Sequence, residues 1–271
     1  MFFRKRMLGI SMAAVVWAGS AVHVSASTFG NYFVGVDDAD TIGFGTYSGL
    51  ANTNEGRLTF LFYHGDHFHG IGTHSYTGPA GTPTPSDTNS NNRIPEGYTG
   101  LAPLSLQPGT GNFAGTYRSG LPSTLTQDTE YGDLAIRNVH SLNGVDDVIY
   151  NSSGGRWNTS FDAAHIHMAL LSATPGLKIA FGSSPTDSLP VGGDFHLGDG
   201  DEMFNVLPTF WVDGSAPLGS TYTAEFSLLD LSGSYGSSGR FFLDFQVVPE
   251  PTSLAMLGLG ATALLRRTKR A

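Results

Sequence analysis

The strongest constraint on the fold is a strict two-residue alternation. Within 221–228, Tyr222, Ala224, Phe226 and Leu228 fall on one side, and Thr221, Thr223, Glu225 and Ser227 fall on the other. Within 240–247, Phe241, Leu243, Phe245 and Val247 alternate with Arg240, Phe242, Asp244 and Gln246. Successive side chains of a strand point to opposite faces, so such runs bury one face and wet the other. Between them, 232–239 carries Gly233, Gly236 and Gly239 and reads as a hairpin loop. Further strand candidates are 32–36, 57–63, 67–71, 134–139, 164–171, 177–181 and 209–212. Long helical periodicity is missing, and glycine is abundant at 36 residues. The pattern predicts an all-β fold, an antiparallel β-sandwich or jelly roll. Segment 78–97, with Pro79, Pro83, Pro85 and Pro95, reads as a long surface loop within a single domain.

Both ends of the chain differ from this body. Arg4-Lys5-Arg6, an apolar stretch over 7–18, and the small residues Val24-Ser25-Ala26 form a signal peptide over 1–26, cut by signal peptidase after Ala26. No twin arginine is present in 1–26, so the expected route is the general secretory one. At the other end stand Pro249-Glu250-Pro251, an uncharged run over 252–265, and a basic end containing Arg266, Arg267, Lys269 and Arg270. Tripeptide, apolar stretch and basic end, in that order, resemble the PEP-CTERM sorting signal of Gram-negative bacteria. The resemblance implies recognition by an exosortase, a membrane protease that removes the tail. It also implies brief residence at the inner membrane, then display at the cell surface, on the outer membrane or in extracellular matrix.

The physics of the tail agrees with a transient anchor. A spanning helix needs roughly 20 apolar residues, and Gly258 and Gly260 weaken this shorter run further. The basic cluster would hold the end on the cytoplasmic side. The expected organisation is therefore a signal peptide (1–26), a β-sandwich domain (27–248) and a sorting tail (249–271), with an apolar helix at each end.

The domain over 27–248 keeps 7 basic residues against 22 acidic ones, a formal charge of about −15. Such a surface repels nucleic acid and anionic lipid and concentrates cations. The chain has no cysteine, so it folds without disulfides and offers no thiolate as metal ligand or nucleophile. Any metal must be held by nitrogen and oxygen.

The histidines are unevenly placed. His64, His67, His69 and His74 crowd into 63–74, and His165 and His167 form a second pair. His196 and His140 stand alone. On a strand, residues two apart share a face, so His67 and His69 project together while Phe68 turns away. His165 and His167 share a face opposite Ile166, Met168 and Leu170. A His-x-His strand offers two imidazoles to one metal, with a third ligand from a neighbouring strand; four could meet if the two strands adjoin. Zinc is the first expectation, and copper or nickel also suit imidazole. The candidate ligands are His67, His69, His165 and His167, with His64, His74 and His196 beside them. Asp66 is positioned to orient an imidazole.

A second resemblance covers most of the domain. Tyr32-Phe33-Val34-Gly35-Val36-Asp37, 45–52, Ser75-Tyr76-Thr77-Gly78-Pro79 and Tyr150-Asn151-Ser152-Ser153-Gly154-Gly155-Arg156-Trp157 resemble PEP-CTERM proteins repressed by the zinc uptake regulator, Zur. That likeness implies expression under zinc starvation and a role in capturing or sparing zinc outside the cytoplasm. The acidic stretches 37–40 and 194–202 read as solvated turns, with calcium as the alternative. No Gly-x-Ser-x-Gly elbow, His-Glu-x-x-His helix or glycine-rich phosphate loop appears. The expectation is a non-enzymatic, zinc-binding surface protein. The alternatives are a structural or adhesive matrix component whose histidines are incidental, and a cupin-like metalloenzyme.

Overall fold

A computed structural model describes residues 31–185 and 189–249. The expected signal peptide and almost the whole sorting tail, including the apolar helices expected there, lie outside the described residues. Among the described residues sixteen strands follow one another. They are β1 (Tyr32–Val36), β2 (Leu58–His64), β3 (His67–Gly70), β4 (Ser75–Thr77), β5 (Thr84–Ser86), β6 (Arg93–Ile94), β7 (Leu104–Pro108) and β8 (Thr116–Arg118). There follow β9 (Ile136–Asn138), β10 (His165–Ala173), β11 (Lys178–Ala180), β12 (Asp194–Asp199), β13 (Asn205–Val206), β14 (Thr209–Asp213), β15 (Thr221–Asp230) and β16 (Phe241–Val247). A short helix, α1 (Thr126–Tyr131), follows β8.

Two sheets carry the fold. The smaller has the order β13-β9-β1-β2-β3, and the larger runs β11-β14-β8-β7-β16-β15-β10-β12 with β6 added beside β16. All nine alternating or apolar runs of the sequence become strands in these sheets. β15 and β16 form the expected hairpin, with Phe226 opposite Phe241 and Tyr222 opposite Phe245. Antiparallel pairing dominates, but β1–β9, β16–β6 and β16–β7 are parallel. Parallel neighbours need long crossovers, and the connections from β1 to β9 and from β7 to β16 are long enough to wrap around the body.

One continuous core joins the sheets. Its axis is a column of rings. Tyr32 stacks on Phe60 at 5.2 Å, and Phe60 on Phe241 of the other sheet at 4.4 Å. Phe241 then meets Phe226 at 5.8 Å, and Phe226 meets Phe210 edge-on at 6.1 Å. Offset and edge-to-face pairs add to the gain from burying these large rings. Gly72 lies tight against the column where it crosses between sheets. A Cβ there would lie 3.0 Å from the Phe60 Cβ and 3.1 Å from the Phe241 ring.

Segment 78–97 departs from the sequence expectation of a surface loop. Its first half is exposed, but its end turns inward, and Asn92, Ile94 and Glu96 are buried. Ile94 pairs with Leu243 of β16. The Asn92 amide donates to the carbonyls of Thr73 (2.7 Å) and Arg240 (2.8 Å). The prolines mislead because they mark a loop without saying on which side of the sheet it returns. This inward return delivers Glu96 to the first histidine cluster.

Candidate metal centre

The histidines gather in two separate triads, one at the outer strand of each sheet. Ligand atoms of His64, His67 and His69 lie within 4.8 Å of one another, and so do those of His165, His167 and His196. β3 and β10 belong to different sheets. The four-imidazole site that adjoining strands would have made does not form. Each His-x-His pair instead takes its third histidine from the strand next to it.

The first triad is built by a hairpin. β2 and β3 are joined by Gly65-Asp66, and Gly65 takes the left-handed conformation (φ 70°) that a two-residue turn asks of a glycine. The register sets His64 opposite His67 and Phe62 opposite His69, so all three imidazoles share one face. Phe68 turns to the other face, where it is buried against Phe33 at 5.5 Å.

Each imidazole of the His-x-His pair is gripped from behind. His67 Nδ1 donates to Asp66 Oδ1 at 2.8 Å, and His69 Nδ1 to Glu96 Oε2 at 2.8 Å. Glu96 is only 4 % exposed. It also accepts from the hydroxyls of Tyr131 (3.2 Å) and Tyr98 (3.4 Å). Burial, reinforced by Glu96, pushes the Tyr131 hydroxyl up, so it stays a donor. The hydrogen bond from His67 holds the Asp66 carboxyl below the usual carboxylate range.

With Nδ1 committed to a carboxylate, a neutral imidazole presents its lone pair at Nε2. The two Nε2 atoms of His67 and His69 face each other at 2.9 Å. Two lone pairs at that distance repel unless a proton or a cation lies between them. Neighbouring nitrogens around tetrahedral zinc stand roughly 3.3 Å apart, given bonds of about 2.0–2.1 Å. The spacing is thus close to what a shared ion demands.

The second triad depends on an irregularity. β10 and β12 pair with His165 opposite Asp199 and Ile166 opposite Gly198, but His167 opposite His196. One extra residue, Leu197, is accommodated between those pairs as a β-bulge. An unbroken ladder would set His167 against Leu197 and turn His196 to the opposite face, because a one-residue slip inverts every side chain. The bulge lets Leu197 be buried while His196 joins the histidine face. Gly198 is essential to it: a Cβ there would sit 2.6 Å from the Phe204 ring.

The same carboxylate grip recurs. His165 Nδ1 donates to Asp199 Oδ1 and His167 Nδ1 to Asp194 Oδ1, both at 2.5 Å. Asp199 Oδ1 also lies 3.4 Å from His196 Nε2. The hydrogen bond from His165 lowers the Asp199 carboxyl below its ordinary range. His167 is the most sheltered ring, its side chain 12 % exposed, and its Nε2 is buried with no hydrogen-bond partner. A buried polar atom without a partner is unfavourable, and an imidazole fixed by a carboxylate at Nδ1 with Nε2 free is the arrangement of a metal ligand.

Residues 247–270 match the PEP-CTERM protein-sorting motif. The chain carries a PEP-CTERM sorting signal. That signal implies an exported protein processed by an exosortase and bound for the cell surface or extracellular space of a Gram-negative bacterium. No curated protein and no solved structure matches the chain. The PEP-CTERM motif begins at the end of β16, where Val248 N still donates to Leu106 O at 3.0 Å. Pro249 follows directly; Glu250, Pro251, Arg266 and Arg267 lie outside the described residues.

Of the candidate ligands, His64, His67, His69, His165, His167 and His196 enter a triad, and His74 does not. The His74 backbone N–H donates to Asn54 Oδ1 at 2.6 Å, its Nε2 is buried without a partner, and burial pushes its pKa down. His140 is occupied by the Thr159 carbonyl (3.2 Å) and packs on Phe161 at 4.9 Å. Within the acidic stretches Asp37, Asp194 and Asp199 have partners of their own. Asp37 is fully buried and holds the Arg156 guanidinium through both oxygens. Asp194 and Asp199 sit on a strand and serve the histidines. Glu96, 27 residues from His69, left no local signal. Asp194 and Asp199 were visible beside His196, but they read as a turn because glycines flank them.

Proposed function

We propose that this exported, exosortase-sorted protein binds a transition metal, zinc foremost, through two tri-histidine centres, and serves zinc homeostasis at the cell surface or in the matrix. One observation carries the reading. In both triads a carboxylate takes Nδ1 of each histidine of the His-x-His pair, which leaves Nε2 as the nitrogen that carries the lone pair of the neutral ring. Solvated surface histidines have no reason to acquire that grip four times over, at Asp66, Glu96, Asp194 and Asp199. Imidazole nitrogen in a thiolate-free chain suits zinc, copper or nickel, and the surplus of carboxylates draws cations towards it. The resemblance to Zur-repressed proteins favours zinc among the three.

Isothermal titration of the protein with zinc, with copper and nickel as comparisons, tests the reading. Two equivalents of tightly held zinc, released on acidification because protons compete for imidazole nitrogen, support it. Weak binding at many sites, unaffected by loss of His67, His69, His165 and His167, would leave a structural or adhesive protein.

A further inference from the structure

The two triads differ in what lies beside them. His64, alone among the ligands of either triad, also lines a cleft of about 600 Å³ between the β2–β3 hairpin and α1. That volume lies within the roughly 300–1,000 Å³ of small-molecule sites. Phe62, Leu121 and Leu207 give it apolar walls, and Asp128, Glu130 and Asp133 give it an acidic border. No lysine or arginine lines it. Glu130 Oε1 lies 3.8 Å from His64 Nε2, at the junction of cleft and triad.

A metal held by three protein nitrogens keeps a fourth position for water or substrate, the distinction between catalytic and closed structural zinc. At the first triad one of the three rings, His64, lines a cleft able to seat a small molecule. No residue of the second triad lines that cleft.

We propose that the first triad is a hydrolytic centre acting on neutral or cationic acyl compounds, esters or amides, seated in this cleft. The inference rests on metal binding at that triad, as argued above. The acidic border disfavours phosphates and carboxylates, whose charge it repels. In the reaction, water on the metal loses a proton to solvent and its oxygen bonds to the carbonyl carbon. The bond from that carbon to the leaving oxygen or nitrogen then breaks with its electron pair, and the leaving group takes up a proton. No oxidant or reductant is involved.

The test is hydrolysis of 4-nitrophenyl acetate by the zinc-loaded protein, with 4-nitrophenyl phosphate as the anionic comparison. Saturable turnover of the acetate is expected, with none of the phosphate. It should vanish with chelator and in His69→Ala. Leu121→Trp, which fills the cleft, should raise KM while zinc content stays unchanged. Leu218→Trp, at an exposed position that does not line the cleft, should behave as wild type. Zinc bound at both triads with acetate hydrolysis no faster than an equal amount of free zinc overturns the proposal and leaves metal binding standing. A KM unmoved by Leu121→Trp overturns it equally. Failure of both triads to take up zinc removes the metal reading itself.

Discussion

The two triads reach the same chemistry by opposite routes. The first is local: six consecutive residues, 64–69, supply all three imidazoles, and a glycine turn sets them opposite one another. The second joins residues 31 positions apart, His165 and His196, and needs a bulge to bring the last one round. The carboxylates reverse this pattern. The second triad draws both of its clamps, Asp194 and Asp199, from the strand that also carries His196. The first takes Asp66 from its own turn but Glu96 from a distant segment that returns through the core. A histidine cluster can therefore be local in its imidazoles or in the groups behind them, and each triad is local in only one respect.

This comparison breaks most sharply on stoichiometry. Native mass spectrometry should count two zinc ions in the wild type, one in His69→Ala, one in His167→Ala, and none when both are changed. Co-operative loss of both ions from either single variant would mean that the triads are not independent.

Next in size is the bulge. Gly198→Ala should cost about 1–3 kcal/mol in stability through overpacking against Phe204. It should also remove one zinc, leaving the hairpin triad intact. Retention of two zinc ions in that variant would show that His196 is dispensable.

The clamps come third. Glu96→Gln and Asp194→Asn should each weaken zinc at their own triad by roughly 10–100-fold, the usual effect of removing a group that orients a ligand. Competition titration with a zinc-selective fluorescent chelator reads this directly. Equal affinity in wild type and variants would reduce the carboxylate grip to a surface ion pair.

The smallest effect is on metal-free stability against pH. The Asp66 and Asp199 carboxyls are held low in the fold by hydrogen bonds from His67 and His165. Their contribution is present above the ordinary carboxylate value of about 3.9 and disappears as pH falls through the lower folded value. Both groups are solvent-exposed, so the contribution is slight. Urea midpoints measured from about pH 6 down to about pH 2 should fall a little less steeply in Asp199→Asn than in the wild type.

The triads also mark how far the sequence could be read. Every run with clear alternation became a strand, because burying one face of a half-apolar run leaves it few other options. The pairing of His67 with His69, and of His165 with His167, followed from the two-residue period, and Phe68 and Ile166 confirmed it by turning into the core. Asp66 is legible as a clamp because it adjoins its histidine. Strand β12 hides from a local reading because Gly198 and its acids interrupt it, β13 because it is two residues long and runs into Pro208, and β6 and β7 because prolines flank them. Those residues signal loops when the partner strand is not in view.

What the sequence alone determined is the sorting signal at the C-terminal end, the β-rich body, the absence of thiolate chemistry, and which histidines share a strand face. These follow from local covalent order and from a period of two. What only the tertiary structure decided is that the histidines form two sites and not one, that His196 belongs and His74 does not, and that Glu96 stands behind His69. Each of those depends on strand order, on a one-residue register shift, or on a chain segment returning through the core. Such choices are fixed by packing between residues far apart in sequence, and no local pattern encodes them.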